Sequence, residues 1–570
     1  MRFALALLTL LAVSTGVRAA ESYLPIAYVI SPERDREGLA ALHVSMRFKG
    51  SPSGTTQVRL PDEWGGETVL YGDMADLSAT NAELLPADGN EPFIRTLQHE
   101  PGAMVALSWR FMRMAQEPEA DGRNPYRVIV RPDYFHLIGF AAFAWPMIDG
   151  PYALSVSFEG FDPDLPLATS FGEGRTFAFT GQDNAAVQRH LAVGGDFRIS
   201  SRDLNGKTLR VAVRGAWKFD DAALASIAAD IIAGHHRFLE TPTEDFLVTL
   251  LPLTDEKYYS LGGTALDGTF AMFATDHAAL GDFRYLIAHE HLHKWFPDRL
   301  GGFPQGFDPT QPMRYWFSEG FTDYYTWRRL LADGVISVDE FASGWNAMLF
   351  AYGSSPARLQ PNEEVGREFW SDSFTQKIPY QRGMMLAAMW DHRLRSLSSR
   401  KLDIDDVILA MQRRAQDGAV PPADALFPAV YSELSEISLA DDLARYIATG
   451  EAILLPDDLF SPCLRVETSD VPVLDFGFDA DASRETNIVT GVRPSGPAAR
   501  AGMRDGMRVL DRRHSGPPDS RRDLHYVVDD GGTVRDIIFK PAGDETFTLQ
   551  QLTAGPEADE AACRTLLGGD

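Results

Sequence analysis

Cysteine is almost absent from this 570-residue chain, and basic residues are scarce relative to acidic ones. The 53 lysines and arginines face 80 aspartates and glutamates, so the net charge is −27. A protein with this charge repels a phosphate backbone or an anionic membrane, and we therefore expect no nucleic-acid partner. Apolar residues make up 45% of the sequence, as in ordinary folded proteins, which excludes disorder of the whole chain.

The sequence also lacks an apolar run of the roughly 20 residues that a helix needs to span a membrane. At the N-terminus, one basic residue precedes a shorter apolar run, Phe3 to Val13, and small residues follow at 17–20. This layout is typical of a cleaved secretory signal and not of a membrane anchor. We expect residues 1–20 to be a signal peptide and the mature protein to be exported, either periplasmic or secreted.

The two cysteines, Cys463 and Cys563, both lie near the C-terminal end. Exported compartments are oxidising and leave few free thiols, so the sequence predicts one disulfide between them. The alternative is a pair of unrelated buried thiols.

The hydrophobic pattern changes along the chain and predicts several domains. Short alternating runs indicate an all-β domain, and apolar residues at helical spacing after it indicate a mainly helical domain with some strands. A Pro- and Asp-containing stretch then indicates a linker. Short β runs around one small helix indicate a last module. The predicted boundaries are 21–180 for the β domain, 181–454 for the helical domain, 455–470 for the linker, 471–555 for the last module and 556–570 for a C-terminal tail.

The most specific motif is H-E-x-x-H, formed by His289, Glu290 and His293 within the helix-compatible run 283–296. Residues four apart share one face of a helix, so both imidazoles can bind one Zn²⁺ while Glu290 lies beside its water. The alternative interpretation is a histidine-rich surface helix.

A catalytic zinc needs a third protein ligand. Phe296 and Arg299 stand where a metzincin would have glycine and histidine, which excludes that pattern. We identify Glu319 as the candidate, in a second predicted helix that opens after Ser318. Asp323, four residues later, is placed to accept the remaining N–H of a ligand histidine. The alternative for Glu319 is an acidic residue favoured in a first helical turn by the helix dipole.

These two segments, followed by Tyr380-Gln381-Arg382-Gly383 and by the run 402–407, resemble the glycyl aminopeptidase family M61 of gluzincin metallopeptidases. The resemblance implies a multidomain fold: an N-terminal all-β domain, a thermolysin-like, mainly helical α+β catalytic domain and a C-terminal PDZ domain. It also implies a peptide or protein as substrate.

The resemblance assigns a role to each motif residue. It implies that His289, His293 and Glu319 bind one zinc ion per chain, that Glu290 is the general base, and that Tyr380 stabilises the oxyanion. Without the resemblance, Tyr380 would be an ordinary aromatic residue near a helix start.

The sequence departs from the family in two places. Family members continue the zinc helix with Trp-Asn, whereas Phe296 follows the tryptophan here. They also carry Gly-Gly-Leu-Glu-His in a substrate strand, whose Glu holds the free α-amine of the substrate. Here Gly262 and Gly263 are followed by Ala265 at the position of that Glu. Asp267 is nearby, but it lies two residues after that position. The sequence therefore leaves aminopeptidase and endopeptidase activity open. The alternative interpretation of the run is a glycine turn entering an edge strand.

In the last module, Phe476, Gly477 and Phe478 resemble the carboxylate-binding loop of PDZ domains. Such a loop receives the C-terminus of a peptide that is added as a strand to a sheet edge. The alternative is a docking or spacer module without a ligand.

The sequence thus predicts an exported, zinc-dependent peptidase. One alternative is a catalytically weak, peptidase-like protein that binds peptides through its PDZ domain. Another is a zinc hydrolase that acts on a non-peptide amide.

Overall fold

The computed structural model describes residues 23–118, 125–183, 185–254, 259–303, 308, 310–513, 519–557 and 559–569. The predicted signal peptide, 1–20, lies outside these residues. The described residues form two compact units. The first takes in the chain up to Ser200 together with Arg210–Trp217 and Asp245–His277, and the second takes in Ser201–Leu209, Lys218–Glu244 and the chain from Ala278 onward.

The first unit is built from strands, as the alternating pattern predicts. Its strands up to Gly195 are β1 Leu24–Asp35, β2 Gly38–Lys49, β3 Thr55–Arg59, β4 Ala75–Thr80, β5 Glu83–Leu84, β6 Ile94–Gln98, β7 Met104–Met112, β8 Ile129–Val130, β9 Tyr134–Ile138, β10 Trp145–Pro146, β11 Tyr152–Phe158, β12 Leu167–Thr169, β13 Thr176–Gln182 and β14 Leu191–Gly195, with one short helix, α1 Gly139–Ala142.

These strands form three sheets with the orders β13-β11-β1-β2-β7-β4, β10-β3-β6-β5 and β12-β14-β9-β8. In the six-stranded sheet, β1 pairs parallel with β11 and antiparallel with β2. Leu42, Val44, Met46 and Phe48 of β2 are all buried on one face, because alternate side chains of a strand point to the same side.

The strands that follow are β15 Arg198–Leu204, β16 Lys207–Val213, β17 Phe246–Pro252, β18 Leu261–Leu266 and β19 Thr269–Ala274. β19 lies between β17, which is parallel to it, and β18, which is antiparallel to it and ends the sheet among the described residues. Residues 245–277 thus belong to the first unit, although the sequence pattern assigned them to the helical domain that was predicted to begin at 181.

The second unit is mainly helical up to residue 448. Its helices are α2 Asp221–Phe238, α3 Leu280–Leu292, α4 Tyr315–Ala332, α5 Val338–Ser354, α6 Asn362–Glu368, α7 Ser373–Leu397, α8 Ile404–Asp417, α9 Ala423–Ser435 and α10 Ala440–Asp442, which continues into a π-helical turn, Leu443–Ala448. Among the described residues, none of the helices combines the length and the apolar character that crossing a membrane requires.

Helices α4 and α7 cross at two glycines. A Cβ atom at Gly320 of α4 would overlap the Cα of Gly383 of α7, and one at Gly383 would overlap the carbonyl oxygen of Trp316. Larger residues at the crossing would hold the helices apart, since the separation of packed helices depends on the side chains at the contact. The two glycines therefore set how closely residues 319 and 380, next to this crossing, approach each other.

The C-terminal part of the second unit contains β20 Leu464–Leu474, α11 Ala480–Thr486, α12 Pro497–Arg500, β21 Arg508–Arg512, β22 Leu524–Asp530, β23 Thr533–Phe539, β24 Ala542–Ala554 and α13 Glu560–Gly568. β20 pairs antiparallel with β24, and β21, β22 and β23 form a separate sheet. The segment predicted as a linker, 455–470, includes the start of β20. The predicted tail, 556–570, contains α13.

The last two elements of this region are attached to the helices. The side chain of Asn346 in α5 donates to the carbonyl of Leu552 at 3.0 Å and accepts its N–H at 2.6 Å. Glu560 of α13 accepts the backbone N–H of Val338 at 3.0 Å. β24 and α13 are therefore packed against the helical region.

Cys463 and Cys563 are joined by a disulfide, with their Cα atoms 5.5 Å apart. Cys463 directly precedes β20, and Cys563 lies in α13. The bridge closes a sequence separation of 100 residues. A loop of that length constrains the unfolded chain by up to about 4.7 kcal/mol in the chain-entropy model.

We predict that Gly383→Ala destabilises the protein by about 1–3 kcal/mol, the usual cost of overpacking, because the new methyl group must push α7 away from α4. The measurement is the midpoint of thermal or urea unfolding. Gly418→Ala is the matched control, since a Cβ at Gly418 meets open space. Equal stability of the two variants would contradict the close crossing.

Candidate metal centre

Helix α3 positions the two histidines of the H-E-x-x-H motif. It ends at Leu292, four residues earlier than the apolar pattern predicts, and His293 follows as its C-cap residue with helical dihedrals (φ −58°, ψ −19°). Because that residue keeps the helical conformation, His289 and His293 still lie on one face.

Helix α4 supplies the third candidate ligand. It begins at Tyr315, earlier than the predicted opening after Ser318. Glu319 therefore lies in the second turn, so the helix-dipole explanation for its presence in a first turn does not apply.

The three donor atoms form a nearly equilateral triangle. Nε2 of His289 and Nε2 of His293 are 3.1 Å apart. Oε2 of Glu319 is 3.4 Å from the first and 3.3 Å from the second. Ligands about 2.0–2.1 Å from a tetrahedral Zn²⁺ are separated by about 3.3–3.4 Å, so this triangle has the size of one face of a zinc tetrahedron.

The partners of the histidines fix which atoms face the centre of the triangle. Nδ1 of His289 lies 2.8 Å from Oδ1 of Asp323, and Nδ1 of His293 lies 2.9 Å from the carbonyl oxygen of Phe296. Oxygens at these distances favour the tautomer with hydrogen on Nδ1. In that neutral tautomer, which is the form that binds a metal, each Nε2 presents a lone pair. With the carboxylate of Glu319, three electron pairs converge on one point, which is the arrangement that a cation requires.

Electrostatics in the triangle also favours positive charge. Burial lowers the pKa of a histidine, but the charge of Glu319 outweighs burial at His293 and raises its pKa to about 9. Burial would raise the pKa of Glu319, yet the neighbouring charges of His293 and His289 hold it below its ordinary value. The residues present fit a divalent cation bound by two imidazoles and one carboxylate.

The carboxylate of Asp323 meets two groups of α3. Its Oδ1 lies beside Nδ1 of His289 and accepts a hydrogen bond from the hydroxyl of Tyr285. Such a carboxylate orients the ligand imidazole and increases its basicity. Tyr285 was not recognised from the sequence, although its position four residues before His289, on the same helix face, is a signal that could have identified it.

The middle histidine of the motif points to a different partner. Nδ1 of His291 is 2.9 Å from Nδ1 of His235 in α2, and both rings are buried. Burial lowers the pKa of His291 to about 3, so this ring is neutral at physiological pH. His291 therefore packs α3 against α2 and is not one of the three donors.

Two further groups adjoin the triangle. Burial raises the pKa of the Glu290 carboxyl above its ordinary value, which makes it a stronger base than an exposed glutamate. The ring of Tyr380 stacks on that of His289 with centroids 6.1 Å apart. Burial and the nearby carboxylates, Glu319 first among them, raise the pKa of Tyr380, so its hydroxyl keeps its proton and can donate it.

Tyr380 lies within α7, seven residues after its first residue, and Pro379 is inside the same helix. The sequence pattern predicted a helix that starts only at Arg382. The structure therefore brings together His289, Glu290, His293, Glu319, Asp323 and Tyr380, all in the second unit.

The residues predicted for the substrate strand belong to the first unit. Gly262, Gly263 and Ala265 lie in the edge strand β18, and Asp267 is in the turn before β19. The carboxylate of Asp267 forms an ion pair with Nε of Arg189 at 2.9 Å.

The loop predicted to bind a peptide carboxylate connects β20 to α11. The backbone N–H of Gly477 in this loop donates to Oδ1 of Asp475 at 2.8 Å. The rings of Phe476 and Phe478 pack edge to face, and the residues that follow form helix α11.

Known proteins resemble this chain both in sequence and in structure. Residues 282–383, which contain all the donor residues and Tyr380, match the model of a family described as M61 glycyl aminopeptidase. A search of curated proteins found no match.

Among solved structures, an aminopeptidase N family protein from Idiomarina loihiensis is similar to 95% of this chain over its whole length, with 16% identity and a TM-score of 0.69. An M1 zinc metallopeptidase from Deinococcus radiodurans is similar over 76% of this chain and 95% of its own, with 13% identity and a TM-score of 0.46. The first likeness shows that the multidomain fold, with an N-terminal β domain and a helical region after it, is shared with a solved protein. The chain is thus similar to the M61 family over residues 282–383, the segment that contains the candidate metal centre.

Proposed function

We propose that the protein is an exported, zinc-dependent peptidase that hydrolyses peptide bonds with Glu290 as general base. The observation that carries this proposal is the triangle of three donor atoms from His289, His293 and Glu319, with Glu290 and Tyr380 beside it.

Each group has a separate task in this reaction. A zinc ion held by the triangle would polarise the scissile carbonyl and make a water molecule acidic. Glu290 takes the proton of the attacking water and passes it to the leaving amine, which is general base and then general acid catalysis. The neutral hydroxyl of Tyr380 donates a hydrogen bond to the oxygen that gains charge in the transition state. Asp323 holds His289 in the tautomer that presents Nε2 to the ion.

We predict about one zinc per chain and loss of peptide hydrolysis when the zinc is removed by a chelator. His293→Ala should lose both zinc and activity. Glu290→Gln should keep the zinc and lose about 10²–10⁴-fold in kcat, the usual contribution of a general base. His277→Ala, an exposed histidine outside the triangle, is the control and should keep one zinc. Full activity of metal-free protein would contradict the proposal.

The family resemblance assigns the binding of the substrate amine to the strand that corresponds to β18. An aminopeptidase needs a negative partner for the substrate ammonium, because an unpaired buried charge is costly. Ala265 offers none, and Asp267 is already paired with Arg189, which also binds Asp183 at 2.8 Å. We therefore propose that the enzyme accepts blocked or extended N-termini and acts as an endopeptidase or as an exopeptidase of altered register.

The prediction is that matched peptides with free and acetylated N-termini differ in kcat/KM by less than about tenfold, or about 1.4 kcal/mol of transition-state binding. The proposal would be wrong if kcat/KM were about a hundredfold higher for the free amine, or about 2.7 kcal/mol, and this preference disappeared in Asp267→Asn. Asp183→Asn removes a charge from the same ion-pair cluster and is the control for Asp267→Asn.

Export is proposed from the N-terminal sequence, and the disulfide agrees with it because such bridges persist in oxidising compartments.

We predict that protein isolated from the periplasm or the medium begins after residue 20. We also predict that, when this protein is denatured without reduction, it takes up no thiol-alkylating label, as mass spectrometry would measure. After reduction it should take up two labels. Two labels before reduction, or an intact N-terminus on the exported protein, would contradict this part of the proposal.

The alternative of a peptide-binding protein that acts through its C-terminal module receives less support. The N–H of Gly477, which would receive a peptide carboxylate, is bonded to Asp475. Addition of a peptide strand also needs an extended edge next to the loop, and residues 480–486 are helical. We propose a docking role for this module, whose strand β24 is bonded to α5.

A further inference from the structure

Lys377 is a cation close to the proposed catalytic groups. It lies in α7 one turn before Tyr380, and its Nζ is 5.4 Å from the centroid of the Tyr380 ring. Since that ring is 6.1 Å from the ring of His289, Nζ is within about 12 Å of the histidine ring, roughly the length of three to four residues of extended peptide.

Lys377 is a positive charge in a chain, and near a group of residues, that are strongly negative. The proposed catalytic groups include three carboxylates, those of Glu290, Glu319 and Asp323, and the whole chain carries a net charge of −27. Lys377 is exposed, and none of the ion pairs among the described residues involves it. By contrast, Lys294, next to the zinc motif, forms an ion pair with Glu244. The ammonium of Lys377 is therefore available to an incoming group.

Two large apolar side chains are exposed in the stretch that leads to Lys377. Phe374 lies one helical turn earlier and is 55% exposed, and Trp370, just before α7, is 73% exposed. Phe369, next to Trp370, packs edge to face against Tyr315 in the α4 turn that precedes Glu319, with ring centroids 5.0 Å apart. Phe374 is one helical turn before Lys377, and Lys377 is one turn before Tyr380, so these neighbours on α7 lie within reach of one extended peptide.

We propose that Lys377 determines specificity by binding a carboxylate of the peptide substrate, close to the scissile bond, while Phe374 contacts the apolar part of the same peptide. This inference rests on the proposed peptidase function. The carboxylate has two possible sources, the C-terminus of a short peptide or an acidic side chain within a longer one. Because Lys377 is exposed, its ion pair with the substrate is screened by water, and we expect an effect of about two- to fivefold.

The experiment compares kcat/KM of the zinc-loaded enzyme for three peptides of one sequence. The first ends in a free acid, the second ends in an amide, and the third ends in an amide but has glutamate in place of a neutral residue near its C-terminus. We expect the wild type to prefer the first or the third over the second by about two- to fivefold. The preferred peptide identifies the source of the carboxylate. The preference should decrease as the salt concentration increases, since salt screens exposed charges.

Three substitutions of Lys377 and one control test whether this lysine is responsible. Lys377→Met should remove the preference, Lys377→Arg should retain it, and Lys377→Glu should reverse it. Lys401→Met removes an exposed lysine just beyond the other end of α7 and should leave the ratio as in the wild type. Equal cleavage of the three peptides by the wild type, or a preference that persists in Lys377→Met, would overturn the inference while the peptidase function stands.

Binding gives a second readout that needs no turnover. The dissociation constants of the same peptides would be measured with zinc-loaded Glu290→Gln and with the double variant Glu290→Gln/Lys377→Met. Tighter binding of a carboxylate-bearing peptide to the first protein alone supports the inference even if cleavage is slow. Equal binding by the two proteins overturns it. Failure of the wild type to cleave any peptide would instead count against the proposed function.

Discussion

The close crossing of α4 and α7 at Gly320 and Gly383 is the constraint on which the catalytic arrangement depends. Neither position has room for a Cβ atom, so the helix backbones meet directly. Glu319 is adjacent to one glycine, and Tyr380 lies three residues before the other. The crossing therefore positions the proposed zinc ligand Glu319 and the proposed hydrogen-bond donor Tyr380, which lie on two different helices.

Helix α3 carries the two histidines of the candidate metal centre and is joined to α4 by a side chain. Asp323 of α4 binds both His289 and Tyr285 of α3, so the two helices are joined by the same carboxylate that orients a ligand. On its other side, α3 is packed against α2 through His291 and His235. The histidines of one short motif thus divide into two proposed ligands and one packing residue, and burial keeps the packing histidine neutral.

Local spacing allowed the sequence to predict which side chains lie together at the candidate metal centre, whereas tertiary packing determined what the sequence missed. The H-E-x-x-H spacing and the Glu319–Asp323 spacing each describe one helix face, and both faces are found as predicted. The start of α7 was misjudged because Pro379 usually ends a helix, yet here the helix continues from Ser373 through it.

Domain membership was harder to predict than the site, because strand pairing joins residues that are distant in sequence. The runs 246–252, 261–266 and 269–274 are strands of the first unit, although they are preceded by helix α2 of the second. Similarly, the loop at Gly477 has a sequence like that of a carboxylate-binding loop, but the segment after it is helical and its N–H is bonded to Asp475. A loop motif does not specify the conformation of the residues that follow it.

The central claim is that His289, His293 and Glu319 hold one zinc ion. The most direct measurement is the anomalous scattering of crystals of the zinc-loaded protein at the zinc absorption edge. The account predicts a single strong peak about 2.0–2.2 Å from both Nε2 atoms and from a carboxylate oxygen of Glu319. A peak at any other group of residues, with none inside this triangle, would contradict the account.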